Sequence, residues 1–518
     1  MNTLDPSLSN SRKPFLKRFW VLGVGIGTAV LVLGGGFVLS RFISGGDGTN
    51  TKPFGSIFPD LSDDRELNPR IEASFLPESG AAFKYNSPLV YEGHLYLGTS
   101  ERTGYDNALV TEIHDNYFYK MDLDLNVIWE YPLGKRMVKG GATIDSNENL
   151  YFVTDLVTDN PNFVMGPKGD KEQQYLSELK LVSLTREGEL RWEVPISGEN
   201  NYWNRGMIAP AISADDIIYA GNRQFYAFDS EGNQVGQFPG GDQEIRGYGG
   251  APVIDGDGYV FFTAPEPMLL SQEWQSEVIK AYKFSPRLES LVWSTEMGNE
   301  LMDNEGGNPD GGGGQRARAV ESTPALGLGG RSLYGITGCT ISKIDTASGE
   351  LLWSIKPEGA TGHINASPAI DDSDNLYVGT KSNTESAFYA ISADGEVLWR
   401  TLIGADLYNS PILGDDETVY VGSETQVDGK FHALDMTTGE QKWAIGKDNE
   451  QKIPDFSFGS MALYEGYVYV GVHSATEGNQ SGESDQTLFK IKIDADEYLP
   501  KAAWPRIHGG NLNLGRRE

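Results

Sequence analysis

The chain has 518 residues, 39% of them hydrophobic, a formal net charge of −31 at pH 7 and a single cysteine, Cys339. That composition supports a sizeable core, whereas the acidity excludes sequence-independent nucleic-acid binding, for which a basic surface supplies the attraction. One thiol excludes an intrachain disulfide, and Cys339, inside the strand-like run 333–341, reads as packing because no neighbouring group would activate it.

In chain order, residues 1–18 read as a short cytoplasmic tail and residues 19–40 as a transmembrane helix. The 22 residues Phe19 to Ser40 carry no charge, and at about 1.5 Å per residue they match a hydrocarbon core of about 30 Å. Arg12, Lys13, Lys17 and Arg18 precede the run, which orients the N-terminus to the cytoplasm. A cleaved signal peptide is the competing reading. The expectation is a single-pass inner-membrane protein whose remainder is periplasmic or extracellular. Residues 41–80 are polar with Gly and Pro and read as a tether.

From 81 to 518 one unit recurs. Each copy opens with a small residue and usually Pro: Ser87-Pro88, Ala209-Pro210, Ala251-Pro252, Thr323-Pro324, Ser367-Pro368 and Ser410-Pro411, with Gly141-Ala142 and Ser460-Met461 as degenerate forms. An apolar strand such as Leu376-Tyr-Val-Gly379 follows, then a third strand, a turn ending in Gly, and a fourth strand with Trp. The tryptophans are Trp129, Trp192, Trp293, Trp353, Trp399, Trp443 and Trp504, and the third unit has Val235 to Phe238 in that place. Eight units of four strands predict an all-β, eight-bladed β-propeller.

The run Ala433-Leu-Asp435-Met-Thr-Thr438-Gly439-Glu440-Gln-Lys-Trp443 matches a tryptophan-docking motif, and Lys343 to Trp353 matches it apart from the first residue and a Ser for Thr. By these residues the chain resembles the quinoprotein-alcohol-dehydrogenase-like, or PQQ-like, propellers, including the propeller component of the outer-membrane β-barrel assembly machinery. It departs from that component in having no lipobox cysteine after the apolar run. The C-terminal Trp504-Pro-Arg-Ile-His508-Gly-Gly-Asn511 segment, also typical of such proteins, is expected to close the ring. For redox-active members the resemblance implies pyrroloquinoline quinone held against a disulfide of adjacent cysteines, with Ca²⁺ bound by a carboxylate and an amide and an Asp as base. A chain with Cys339 alone cannot make that disulfide, so no cofactor is expected, and PQQ with Ca²⁺ belongs to a second reading as an alcohol or sugar dehydrogenase.

No Ser-His-Asp, His-x-x-x-His or Cys-x-x-Cys arrangement suggests catalysis or a metal centre. The acidic clusters Asp145 to Asn149, Asp255 to Asp257 and Asp371 to Asn375 resemble calcium-loop fragments, but each falls where a hairpin turn needs Asp, Asn or Gly. Five or six residues before the unit markers stand Arg136, Arg205, Arg246 and Arg318, then His363, Asp406 and Asp455. Equivalent repeat positions share one face, so these residues form a candidate interaction face that would take an acidic peptide or anion; ties to acidic neighbours in adjacent blades are the competing account. Insertions at 155–178, 264–275 and 297–315 mark candidate binding loops. A third reading is a polysaccharide or small-ligand sensor using Tyr202, Trp203, Tyr248, Phe456 and Phe458. The leading expectation is a non-catalytic scaffold whose partners are envelope or membrane proteins.

Overall fold

The computed structural model describes residues 69–83, 86–100, 115–159, 175–196, 208–221, 224–241, 243–245, 249–269, 278–298, 322–360, 363–382, 385–423, 429–446, 460–472, 487–510 and 513–516. These residues form eight antiparallel blades, each four strands wide from an inner strand A to an outer strand D. In blade 6 the strands are Ala369–Ile370, Leu376–Gly379, Ala387–Ile391 and Val397–Leu402. Blade 2 departs slightly, its inner position being shared by Met137–Val138 and Thr143–Ile144.

Strand direction divides the ring into two faces. A–B and C–D hairpins turn on one, the turn face; B–C and D–A connections lie on the other, the loop face. Turn chemistry explains the acidic clusters. Asp371 Oδ1 accepts from the Ser373 and Asn375 backbone N–H groups (both 2.8 Å) while Oδ2 accepts from the Asn375 side chain. Asp145 repeats the pattern with Asn147 and Asn149. These carboxylates are Asx-turn caps, and among the described residues no group of three or more His, Cys, Asp or Glu could hold a metal ion.

Blades are joined at the turn face by the tryptophans. Six of the seven lie in D strands, and five of those donate Nε1–H to a carbonyl in the C–D turn of the next blade: Trp129 to Arg186, Trp192 to Ser230, Trp293 to Thr346, Trp353 to Ala393 and Trp399 to Met436 (2.8–3.1 Å). The turn glycine lies flat on the indole. A Cβ at Gly439, where φ is +71°, would sit 2.5 Å from the Trp399 ring, so any other residue meets both a clash and a left-handed backbone. Cations double three of these contacts. Lys283 Nζ and Trp293 share the Thr346 carbonyl, Lys343 Nζ and Trp353 share that of Ala393, and Arg191 and Trp192 share that of Ser230.

The ring closes differently from expectation. The outer strand of blade 8 is Arg70–Phe75, paired with Thr487–Lys492, so a strand lies within the stretch read as a tether. Among the described residues no tryptophan bridges this seam; Lys490 Nζ binds Asp124 (2.7 Å) and the Tyr469 hydroxyl binds the Leu123 carbonyl (3.2 Å). Trp504 is in no blade strand. After blade 8 the chain turns inward, and its main chain bonds to inner strands of opposite blades: Pro505 carbonyl to Leu413 N–H in blade 7, Trp504 to Ile370 in blade 6, Leu514 carbonyl to Ile212 N–H in blade 3, and Gly515 carbonyl to Ile254 N–H in blade 4. Those four residues each stand two places after the marker Pro. The tail, buried from Ala502 to Gly510, thus lies against the inner strands of the ring.

One expectation is corrected outright. Among the described residues no helix is long and apolar enough to cross a membrane, and residues 19–40 lie outside them. The single-pass inner-membrane localisation, with a periplasmic or extracellular propeller, is therefore withdrawn.

Candidate functional site: the loop face

The small-Pro marker sets the geometry of the loop face, because it begins each inner strand and locks it to its neighbour. Thr323 N–H donates to Ser367 Oγ (2.8 Å), Ser367 N–H to Ser410 Oγ (3.0 Å) and Ser460 N–H to the Asn86 carbonyl (2.9 Å). At two of these junctions a serine hydroxyl accepts from the preceding blade, and loops leaving this collar start from fixed points.

Of the seven residues aligned from sequence, three are described. Arg136 is held internally: its guanidinium binds the Glu178 carboxylate (2.5 Å) and the Glu178 carbonyl (3.2 Å). Glu178 belongs to the extended hairpin in which Leu150–Asp159 pairs with Tyr175–Leu184, so the insertion at 155–178 begins as a β-ribbon rising from blade 2. His363 forms a two-way backbone bridge with Lys381, N to O at 2.8 and 2.6 Å. Asp406 accepts from the Ser386 hydroxyl at 3.2 Å. Burial pushes the Asp406 carboxyl above its usual range, against the pull of the Lys381 charge. The Lys381 ammonium lies 4.4 Å from the Tyr408 ring centre.

His363 and Asp406 are thus brought together around Lys381, across the loops on either side of blade 6. Sequence reading missed Lys381, Ser386 and Tyr408 here, although Lys381 follows the Leu376-Tyr-Val-Gly379 strand and so starts a B–C loop on the same face. Arg205, Arg246, Arg318 and Asp455 lie outside the described residues, as do Tyr202, Trp203, Tyr248, Phe456 and Phe458.

The single cysteine does not fit the disulfide-held quinone of the redox-active propellers. Cys339 is the chain's single cysteine and is buried in the hairpin turn between Ser332–Thr337 and Thr340–Asp345 of blade 5, within the hydrophobic cluster that blades 4 to 6 share. The adjacent-cysteine disulfide is therefore unavailable.

Comparison with known proteins agrees with the geometry. Residues 338–482 match the family model described as outer membrane protein assembly factor BamB. No curated protein matches the sequence. Among solved structures, a europium-containing methanol dehydrogenase superposes with TM-score 0.51 at 12% identity, covering 82% of this chain and 93% of its own. The quinohemoprotein alcohol dehydrogenase from Comamonas testosteroni gives 0.50 at 12% identity, covering 83% and 77%. At such identity the likeness speaks for fold and not for chemistry. With the docked tryptophans and the eight blades, it shows that the chain has the fold of the PQQ-like, quinoprotein-alcohol-dehydrogenase-like β-propellers, and residues 338–482 match that family's model.

Proposed function

We propose that this propeller is a non-catalytic interaction scaffold that presents its loop face to protein partners. The observation that carries the reading is the asymmetry of the ring. The turn face and axis are occupied by the chain's own tryptophan contacts and by the C-terminal tail, whereas the insertions at 155–178, 264–275 and 297–315 all start from the loop face. Inserted loops on a rigid frame are a recurrent binding element. The matched family model, described as an assembly factor, supports the same direction, and the single cysteine cannot form the quinone-holding disulfide.

Photocrosslinkable residues placed singly in the loop between Asp159 and Tyr175, and at exposed Glu231 on the turn face, test the proposal in the native cell. Discrete adducts are expected from the loop position only; equal adducts from Glu231, or none from either, would refute it. Calorimetry of the full chain with pyrroloquinoline quinone and Ca²⁺ should give no saturable heat. Stoichiometric binding accompanied by dye reduction would establish the dehydrogenase instead.

A further inference from the structure

The axial tail buries a charge to which the described residues give no counter-charge. Arg506 is fully buried, and its bonds go to neutral oxygens: Nη1 donates to the Pro88 carbonyl and the Tyr498 hydroxyl (both 3.3 Å), Nη2 to Ser87 Oγ (2.7 Å) and Asn513 Oδ1 (2.9 Å). A guanidinium cannot shed its proton to escape burial, and a buried unpaired charge is strongly unfavourable.

Several donors at this place are also unused. The Arg506 Nε–H has no acceptor; neither ring nitrogen of His508 has a partner; Trp504 Nε1–H has none; and Ser460 Oγ, at the marker of blade 8, is buried without one. Ser460 belongs to this group because its N–H bonds Asn86, the residue before Ser87. Burial lowers the His508 pKa to about 3, the Arg506 charge adding to the effect, so the imidazole is neutral and can donate one N–H. Buried water could serve the neutral groups, but it brings no charge. The deficit is on the acceptor side and is negative in sign. Room is small: a Cβ at Gly141 would lie 2.8 Å from Asn513 Nδ2 and 2.9 Å from the Ser87 carbonyl.

We propose that the tail carries a small-anion site, in which a chloride-sized monoanion sits against the Arg506 guanidinium with Ser460 and His508 as further donors. The inference is independent of the scaffold reading. It extends the ring's own stabilisation to a solute that the chain does not encode.

The full chain, exchanged into methanesulfonate and titrated with bromide at constant ionic strength, tests it. The melting temperature should rise saturably by about 2 °C or more. Crystals grown in bromide should show an anomalous peak beside Arg506. Arg506→Met is at risk of not folding, so Ser460→Ala, which removes only a hydroxyl without a partner, carries the mutational test and should weaken the halide response several-fold. A melting temperature indifferent to bromide overturns the proposal, as does a response that Ser460→Ala leaves unchanged. A peak at Arg506 without any thermal shift marks an adventitious ion only, and also overturns it.

Discussion

The two faces of the ring are built from the same repeat and spend it in opposite ways. On the turn face five blades offer a carbonyl and a flat glycine to the tryptophan or cation of their neighbour, and the tail occupies the centre. The loop face begins at a hydroxyl collar and then diverges, with a β-ribbon at blade 2 and a mixed-charge cluster at blade 6. A repeat protein keeps one rim invariant so that its other rim is free to vary.

The sharpest way to break this contrast is to remove the tail. Truncation after Lys501 should abolish cooperative thermal unfolding, and Trp504→Ala alone should cost about 3–5 kcal/mol in denaturant titration, as expected for a buried large-to-small change. A near-native midpoint would show the ring to be self-sufficient.

Gly439→Ala should come next, losing about 1–3 kcal/mol from the left-handed backbone and the indole clash. Trp399→Gly paired with it would test the coupling, because the clash vanishes when the ring is absent; strict additivity would deny that the two residues dock.

Lys343→Met should cost about 1–3 kcal/mol by leaving Asp374 without its cation. Burial tends to raise the Asp374 pKa, but the Leu328 N–H, Lys343 and Tyr334 outweigh it and the net shift is downward. A depressed carboxylate stabilises the fold above its unfolded pKa and loses that contribution as pH falls through the folded value. The difference between wild type and Lys343→Met should therefore shrink below about pH 4. A gap independent of pH would refute the assignment.

Asp406→Asn sharpens the comparison from the loop face. Burial raises the pKa of this carboxyl, so ionisation at neutral pH works against the fold, and the amide should be neutral or stabilising by up to about 0.5 kcal/mol. Replacing residues 160–174 by an Asn-Gly turn between the ribbon strands should have the smallest effect on melting, within about 0.5 kcal/mol, while removing any partner adducts. Marked destabilisation by either change would make the loop face structural.

Blade count, turn glycines and outer-strand tryptophans were legible because each is a local pattern repeated many times. Lys343 shows the limit of that legibility: against the docking motif it reads as a mismatch at the first position, yet it adds a second donor to the carbonyl that Trp353 uses. Arg70–Phe75 was missed because a six-residue strand in a polar stretch has no partner nearby in sequence; its register is set by Thr487–Lys492. Trp504 was grouped with the docking tryptophans because composition does not reveal that the chain leaves the blade plane just before it. On the loop face His363 and Asp406 both neighbour Lys381, but spacing could not reveal that Arg136 is tied to Glu178.

The way the ring closes has a kinetic side. The first described strand pairs with one emerging more than four hundred residues later in synthesis, and the tail that packs against the inner strands follows it. Until then seven blades must wait with an open flank at each end, an aggregation-prone intermediate of very high contact order. Maturation of this protein should accordingly be slow, late and sensitive to holding chaperones, and C-terminal fusions should delay it more than internal ones on the loop face.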